Sequence, residues 1–316
     1  MKIIVSGCAG FIGYHLCNRL LNNGHEVVGI DNLDDYYDAN LKILRLEKLK
    51  KFNSFYFKNS DINTLVKLKK KIDVYINLAA QAGVRLDSSK KFKYEHSNIE
   101  GFKGMLKTCS FNKIKKIIYA SSSSVYSGNS KSPFSEQDTL NAPTSFYAAT
   151  KIQNEKMAEK YVIRNNSKMI GLRFFTVYGP LGRPDMAYYL FSKNILNNRQ
   201  INLFNNGNTS RDMTYIDDIV DGIMQSIIRI NNSNMKHEIF NLGNTKPIKT
   251  NDLVLKIENL LQKKAIINNV FVENEVNTTN ADISKSRNIL LYNPKIDLDY
   301  GLTAFMKWFK NYYNVQ

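Results

Sequence analysis

Tyr147-Ala148-Ala149-Thr150-Lys151 puts a phenol and an ammonium four residues apart, so on a helix both side chains occupy one face. A free tyrosine titrates at about 10, and a neighbouring cation favours its phenolate. The pair therefore reads as a proton-transfer device, with Tyr147 as base and Lys151, helped by a bound oxidised nicotinamide, lowering its pKa. Upstream, Ser121-Ser122-Ser123-Ser124-Val125-Tyr126 supplies hydroxyls able to hydrogen-bond a reacting alcohol or ketone. Ser122 is the preferred catalytic partner, with Ser123 and Ser124 beside it on the substrate side. A tyrosine and a lysine at this spacing also arise by chance on surface helices, and a serine run is often only a loop. Their order behind a second motif gives them meaning.

That motif is Gly7-Cys8-Ala9-Gly10-Phe11-Ile12-Gly13, which joins the β-branched run Ile3-Ile4-Val5 to a helical stretch from Tyr14 to Leu21. Side chains at Gly7, Gly10 or Gly13 would obstruct the phosphates of a dinucleotide. The amides of Phe11, Ile12 and Gly13, opening a helix, would donate to those phosphates. The next apolar run ends in Asp31-Asn32, where a carboxylate accepts from an adenosine ribose and repels a 2′-phosphate, favouring NAD over NADP. Asp61-Ile62 are placed to meet the adenine, and Leu78-Ala79-Ala80 offer small groups beside the pyrophosphate. Tyr147 and Lys151 complete the cofactor-contacting set.

Positioning these groups requires a particular scaffold. Short apolar or β-branched runs at 2–6, 26–30, 54–57, 73–78, 115–120 and 169–174 alternate with segments of helical periodicity. Each crossover has room for a helix, so the economical fold is α/β: a Rossmann-type, doubly wound parallel sheet with right-handed connections. Beyond about residue 177 the alternation breaks into Gly, Pro and Asn punctuation, with helices expected near 186–197, 214–229, 250–262 and 300–312. The expected organisation is a dinucleotide-binding domain at 1–177 and a smaller α/β lobe at 178–316, with segments near 213–243 packing back onto the first.

Composition narrows the class. With 316 residues, 43% hydrophobic and 23% charged, the chain has enough apolar content for a substantial core. A formal charge of +16 raises nucleic acid as a partner, but no recognition motif accompanies it. The clusters Lys48-Leu49-Lys50-Lys51 and Lys67-Leu68-Lys69-Lys70-Lys71 read as solvated helix ends, so nucleic-acid binding is not expected. Cys8, Cys17 and Cys109 show no paired spacing, and His15, His25, His96 and His237 are scattered, so neither disulfides nor a metal site is expected. No leader pattern and no apolar stretch of roughly 20 residues is seen, which points to a cytoplasmic protein without membrane insertion.

Taken together, the motifs resemble the extended short-chain dehydrogenase/reductase superfamily and, within it, the nucleotide-sugar epimerases. More narrowly, Asp31-Asn32-Leu33-Asp34-Asp35-Tyr36-Tyr37-Asp38, Ala79-Ala80-Gln81-Ala82-Gly83-Val84-Arg85 and Phe174-Phe175-Thr176-Val177-Tyr178-Gly179-Pro180 are similar to UDP-glucuronate 4-epimerases. Gly182-Arg183-Pro184-Asp185-Met186 and Ser210-Arg211-Asp212-Met213-Thr214-Tyr215-Ile216-Asp217-Asp218 extend the likeness. Cys8, Ser60 and Ser127 depart from the family pattern. The resemblance implies reversible C4 epimerisation of UDP-glucuronate to UDP-galacturonate: Tyr147 takes the 4-hydroxyl proton, C4 passes hydride to NAD, and a 4-keto sugar turns over before reduction on its other face. It also implies that the second lobe holds the nucleotide sugar and that two copies pair as a homodimer through helices beside the sheet.

A 4-ketone is β to the C5 carboxylate, an arrangement prone to lose carbon dioxide. By resemblance Arg183 clamps that carboxylate, with Thr176 adding a hydroxyl. Arg85 and Arg211 are further candidates for the anionic substrate, the latter for the diphosphate; the alternative for either is a structural salt bridge. The nearest competing reading is a UDP-galactose or UDP-N-acetylhexosamine 4-epimerase, which needs no clamp. A nucleotide-sugar dehydratase or decarboxylase, and a non-enzymatic NAD-sensing scaffold, are more distant.

Overall fold

The chain is described from a computed structural model covering residues 1–68, 71–83, 90–272 and 276–315. In chain order the first elements are β1 (Lys2–Ser6), α1 (Phe11–Asn22), β2 (Glu26–Asp31), α2 (Ala39–Leu49), β3 (Phe55–Asn59) and β4 (Val74–Asn77). A short α3 (Lys91–Tyr94) runs through a π-helical turn into α4 (Gly101–Phe111). There follow β5 (Lys116–Ser122), α5 (Phe146–Asn165), β6 (Lys168–Phe174), β7 (Thr176–Tyr178), α6 (Ala187–Leu196), β8 (Gln200–Phe204) and β9 (Ser210–Tyr215). The chain closes with α7 (Ile216–Asn232), β10 (His237–Leu242), β11 (Pro247–Lys249), α8 (Thr250–Leu261), β12 (Ile266–Val270), α9 (Ser284–Leu290) and α10 (Leu298–Tyr312).

Seven strands form one all-parallel sheet in the order β10-β6-β5-β4-β1-β2-β3. Side chains alternate across it. Ile3 and Val5 of β1 enter the core on one face and Ile4 the core on the other, as strands buried on both sides require. Strand order reverses between β1 and β4, and a ligand crevice is expected outside the carboxyl ends there. The strand at 237–242 returns to this sheet, β10 pairing with β6, while α7 packs against α1. Two small sheets, β11-β9-β7 and β12-β8, complete the topology, and β7, β8 and β9 contribute residues to the cleft.

One expectation fails locally. Lys67 and Leu68 follow no helix, because the irregular backbone after β3 is held at the end of α4: Asn112 Oδ1 accepts from Leu68 N at 3.0 Å and its Nδ2 donates to Val66 O at 2.7 Å. Lys69 and Lys70 lie outside the described residues. The other cluster does end a helix, Lys50 capping α2.

α1 and the loop after β7 are joined by His15, whose Nε2 meets Pro180 O at 3.0 Å. Burial lowers its pKa to about 4 from the ordinary value. The unfolded chain therefore takes up a proton below about pH 6.5 that the folded chain refuses until about pH 4, so stability drops as pH falls through that window. We expect a loss of about 3 kcal/mol between those limits from this group. Urea melts against pH should show a flatter slope for His15→Gln, and an unchanged slope would remove the assignment.

Candidate active site

The glycine turn is built by contacts that leave no room for side chains. Gly7 lies at φ 78°, and a methyl on Gly13 would stand 1.9 Å from Gly7 O. Gly7 also abuts the end of β4, where an added Cβ would come within 2.7 Å of Ala79 N, which draws Leu78, Ala79 and Ala80 to the crevice. Gly10 is the N-cap of α1 and no side chain caps the helix, so the positive end of α1 opens on the cleft where Phe11, Ile12 and Gly13 line it. These features fit a dinucleotide diphosphate. With Gly13→Ala the turn must open, and we expect NAD affinity to fall at least about tenfold, on the scale of one charged hydrogen bond. Equilibrium titration with NAD would measure it, and wild-type affinity would overturn the cradle.

Asp31 sits at the tip of β2 with Oδ2 accepting from Ala9 N at 3.0 Å and Oδ1 from Leu33 N at 2.9 Å, which fixes the carboxylate toward the crevice. Asn32 Nδ2 donates to Asp61 Oδ2 at 3.1 Å. Burial opposes ionisation of Asp61, yet hydrogen bonds from Asn63, His96 and Asn32 hold its carboxyl below the usual range. Ile62 lines the same end. His96, 3.0 Å from Asp61 through Nε2, was not singled out by its spacing and is found only by the fold.

At the other end, Ser145 caps α5, its Oγ accepting from Ala148 N at 3.1 Å, and this start places Tyr147 in the first turn facing β5. Lys151 lies one turn on, with Nζ 5.7 Å from the Tyr147 ring centroid and donating to Ala120 O at 3.0 Å. Ser122 ends β5, and its Oγ accepts from Ser124 N at 3.1 Å. Ser123 and Ser124 follow in a single 3₁₀ turn, and all of these groups line one cleft.

The electrostatics of the site are set mainly by burial. Burial pushes the Tyr147 phenol up, opposed by the Ser122 hydroxyl and the Arg183 guanidinium. The lysine is turned to the Ala120 carbonyl, and burial brings its own pKa down to about 8 against the opposing pull of Glu155. Glu155 in turn holds Arg173 bidentately, at 2.8 and 2.7 Å, beneath the site.

Arg183 lines the cleft and is paired with Asp185, Nε to Oδ1 at 3.0 Å and Nη2 to Oδ2 at 2.5 Å, while Tyr36 donates to Asp185 Oδ2 at 3.2 Å. Thr176 opens β7 on the same wall. Arg211 also lines the cleft, its Nη1 donating to Ser210 O at 2.9 Å and Val276 O at 2.8 Å. Arg85 lies outside the described residues. The cleft encloses about 1170 Å³ and runs unbroken from the glycine turn to Arg211.

A tight glycine turn at the switch point of a parallel sheet, with a serine, a tyrosine and a lysine converging on the same cleft, defines a short-chain dehydrogenase/reductase type of site that works with NAD. The chain belongs to the NAD dependent epimerase/dehydratase family, which it matches over residues 3–243. It is 42% identical to UDP-glucuronate 4-epimerase 3 of Arabidopsis thaliana, over 99% of this chain and 77% of that protein. It is 47% identical to an uncharacterised protein of Methanocaldococcus jannaschii, over 98% and 96% of the two chains. The crystal structure of UDP-glucuronic acid 4-epimerase from Bacillus cereus, in complex with UDP-glucuronic acid and NAD, superposes with a TM-score of 0.92 at 38% identity, covering 99% of this chain and 100% of that one.

Proposed function

We propose that the protein interconverts UDP-glucuronate and UDP-galacturonate. The observation that carries this reading is Arg183, which shares the cleft with Thr176 and lies close enough to Tyr147 for its charge to act on the phenol. A sugar carboxylate on that guanidinium would bring the adjacent C4 hydroxyl to the base. Tyr147 accepts the 4-hydroxyl proton and later returns it, while Ser122 hydrogen-bonds the same oxygen as it passes between alcohol and ketone. NAD, when bound, supplies the acceptor and then the donor of the C4 hydride. Thr176 and Arg183 hold the carboxylate bond out of line with the ketone, which protects the intermediate from decarboxylation. Asp31, Asn32, Asp61 and the glycine turn hold the cofactor, Arg211 serves the diphosphate, Arg85 is a further candidate for the anionic substrate, and residues 178–316 are mainly the nucleotide-sugar lobe.

One observation favours an uncharged UDP-hexose instead: Asp185 already neutralises Arg183. Incubating the protein with UDP-glucuronate, UDP-glucose and UDP-N-acetylglucosamine separately, and resolving the 4-epimers, decides between them. Turnover of UDP-glucuronate without net NADH carries the proposal; turnover of the hexoses alone sinks it. Three free, buried cysteines support action in the reducing cytoplasm, and no helix among the described residues is long and apolar enough to cross a membrane. Exposed Phe111 at the end of α4 and Ile163 on α5 support a homodimer across these two helices.

A further inference from the structure

Three consecutive carbonyls ahead of Arg183 are each gripped by a side chain rooted beside the glycine turn. His15 on α1 holds Pro180 O at 3.0 Å. Arg45 on α2 donates from Nη2 to Leu181 O at 2.7 Å and Gly182 O at 3.0 Å, with Nε adding a 3.2 Å bond to Leu181 O. Its Nη1 points the other way, to Ala9 O at 2.9 Å and the Tyr37 hydroxyl at 2.7 Å. These bonds occupy all five guanidinium N–H groups. Arg45 is 0% exposed, and among the described residues no carboxylate pairs with it. Taking an uncompensated guanidinium out of water is costly, and packing alone would be served by an apolar side chain of similar volume. What only the planar fork provides is simultaneous, directional hold on two separate backbones.

The two backbones adjoin residues that line the cleft, Gly10 on one side and Arg183 on the other. Ala9 belongs to the turn that fits the dinucleotide, and its N–H is held by Asp31 while its carbonyl is held by Arg45. Leu181 and Gly182 lead directly into Arg183, and Leu181 keeps φ at 55°, a left-handed conformation that a leucine adopts only under restraint. Neither Arg45 nor His15 lines the cleft. Both act through others.

We propose that Arg45, supported by His15, is a positioning residue that mechanically links the dinucleotide turn to the loop carrying Arg183, so that a bound cofactor presets Arg183 for an anionic sugar. This rests on the reading of Arg183 as the carboxylate-binding group. Arg45→Lys keeps the charge but cannot span both backbones, and His15→Phe removes one grip with less disturbance of the fold.

The decisive measurements are binding titrations. NAD is titrated into each variant, and UDP-glucuronate and UDP-glucose are titrated into NAD-loaded protein in a Tyr147→Phe background, where turnover of either sugar is slowed about a thousandfold. Arg45→Lys should weaken NAD about tenfold and UDP-glucuronate about tenfold, with UDP-glucose within about twofold, as expected for losing one or two charged hydrogen bonds. His15→Phe should move all three in the same direction by less. In an Arg183→Ala background the selective effect of Arg45→Lys should vanish, since the two residues then no longer couple. Equal weakening of both sugars would make Arg45 a structural brace only and overturn the proposal. Arg183→Ala without sugar discrimination would instead overturn the uronate reading. In that case the cofactor arm still decides the linkage, because Arg45→Lys with unaltered NAD affinity overturns it.

Discussion

Tyr147→Phe should lower kcat about a thousandfold, within the range for losing a positioned general base, while NAD and nucleotide-sugar affinities stay within about twofold. The substitution removes one oxygen from a ring that keeps its packing, its centroid 6.0 Å from that of Tyr94. The glycine turn, Asp31 and Arg183 are untouched, so binding survives and only the proton shuttle is lost. Wild-type activity should climb with pH as the phenol ionises. The buried position of the phenol raises its pKa and sets that limb at higher pH than exposure would, with Ser122 and Arg183 moderating the shift. The variant profile should be flat across the same limb. Chromatographic assay of the 4-epimer against pH tests both statements, and a variant within tenfold of wild type would remove Tyr147 from the chemistry.

Arg183→Ala should cut kcat/KM for UDP-glucuronate about a hundredfold, the scale of a truncated charge-assisted contact, and spare UDP-glucose to within about threefold. Two effects combine here. The carboxylate loses its planar partner, and Asp185, which now spends its charge on Arg183, would be left facing it across the cleft. Like charges at close range in a poorly solvated site repel, so an anionic sugar is penalised where a neutral one is not. With the carboxylate no longer held out of line with the C4 ketone, released carbon dioxide should accompany the residual turnover. Comparing the two sugars side by side, with carbon dioxide trapped, gives the result; equal losses for both would show that Arg183 does not select the substrate.

Much of this architecture was legible in the amino-acid order because it depends on local rules. Ile3-Ile4-Val5 running into Gly7, Gly10 and Gly13 specifies a strand, a turn and a helix start without reference to anything distant, and Tyr147 and Lys151 share a face through helix geometry alone. Contacts between distant segments were not legible. Arg45 meets Leu181 across 136 positions, and Tyr36 meets Asp185 across 149; no spacing rule connects them. The hydrogen bond made by Lys151 was hidden for a related reason. Proximity along α5 was apparent, but the Ala120 carbonyl that draws its ammonium aside belongs to another element. The segment around Lys67 misled because its lysine-rich pattern suits a helix end, whereas Thr108 on α4 and Asn112 at its C-terminal cap satisfy its backbone in an irregular form.

The path of the chain after β6 restricts how this protein could be recombined. It leaves the seven-stranded sheet, contributes β7, Arg183 and β9 to the cleft wall, and returns to lay down β10 before departing again for β11 and α8. The cleft-wall segments beyond β6 therefore cannot be grafted from a relative as one cassette with a single splice. Any chimera must exchange two separate stretches and keep the intervening strand native, or the outermost rung of the sheet is lost with the graft.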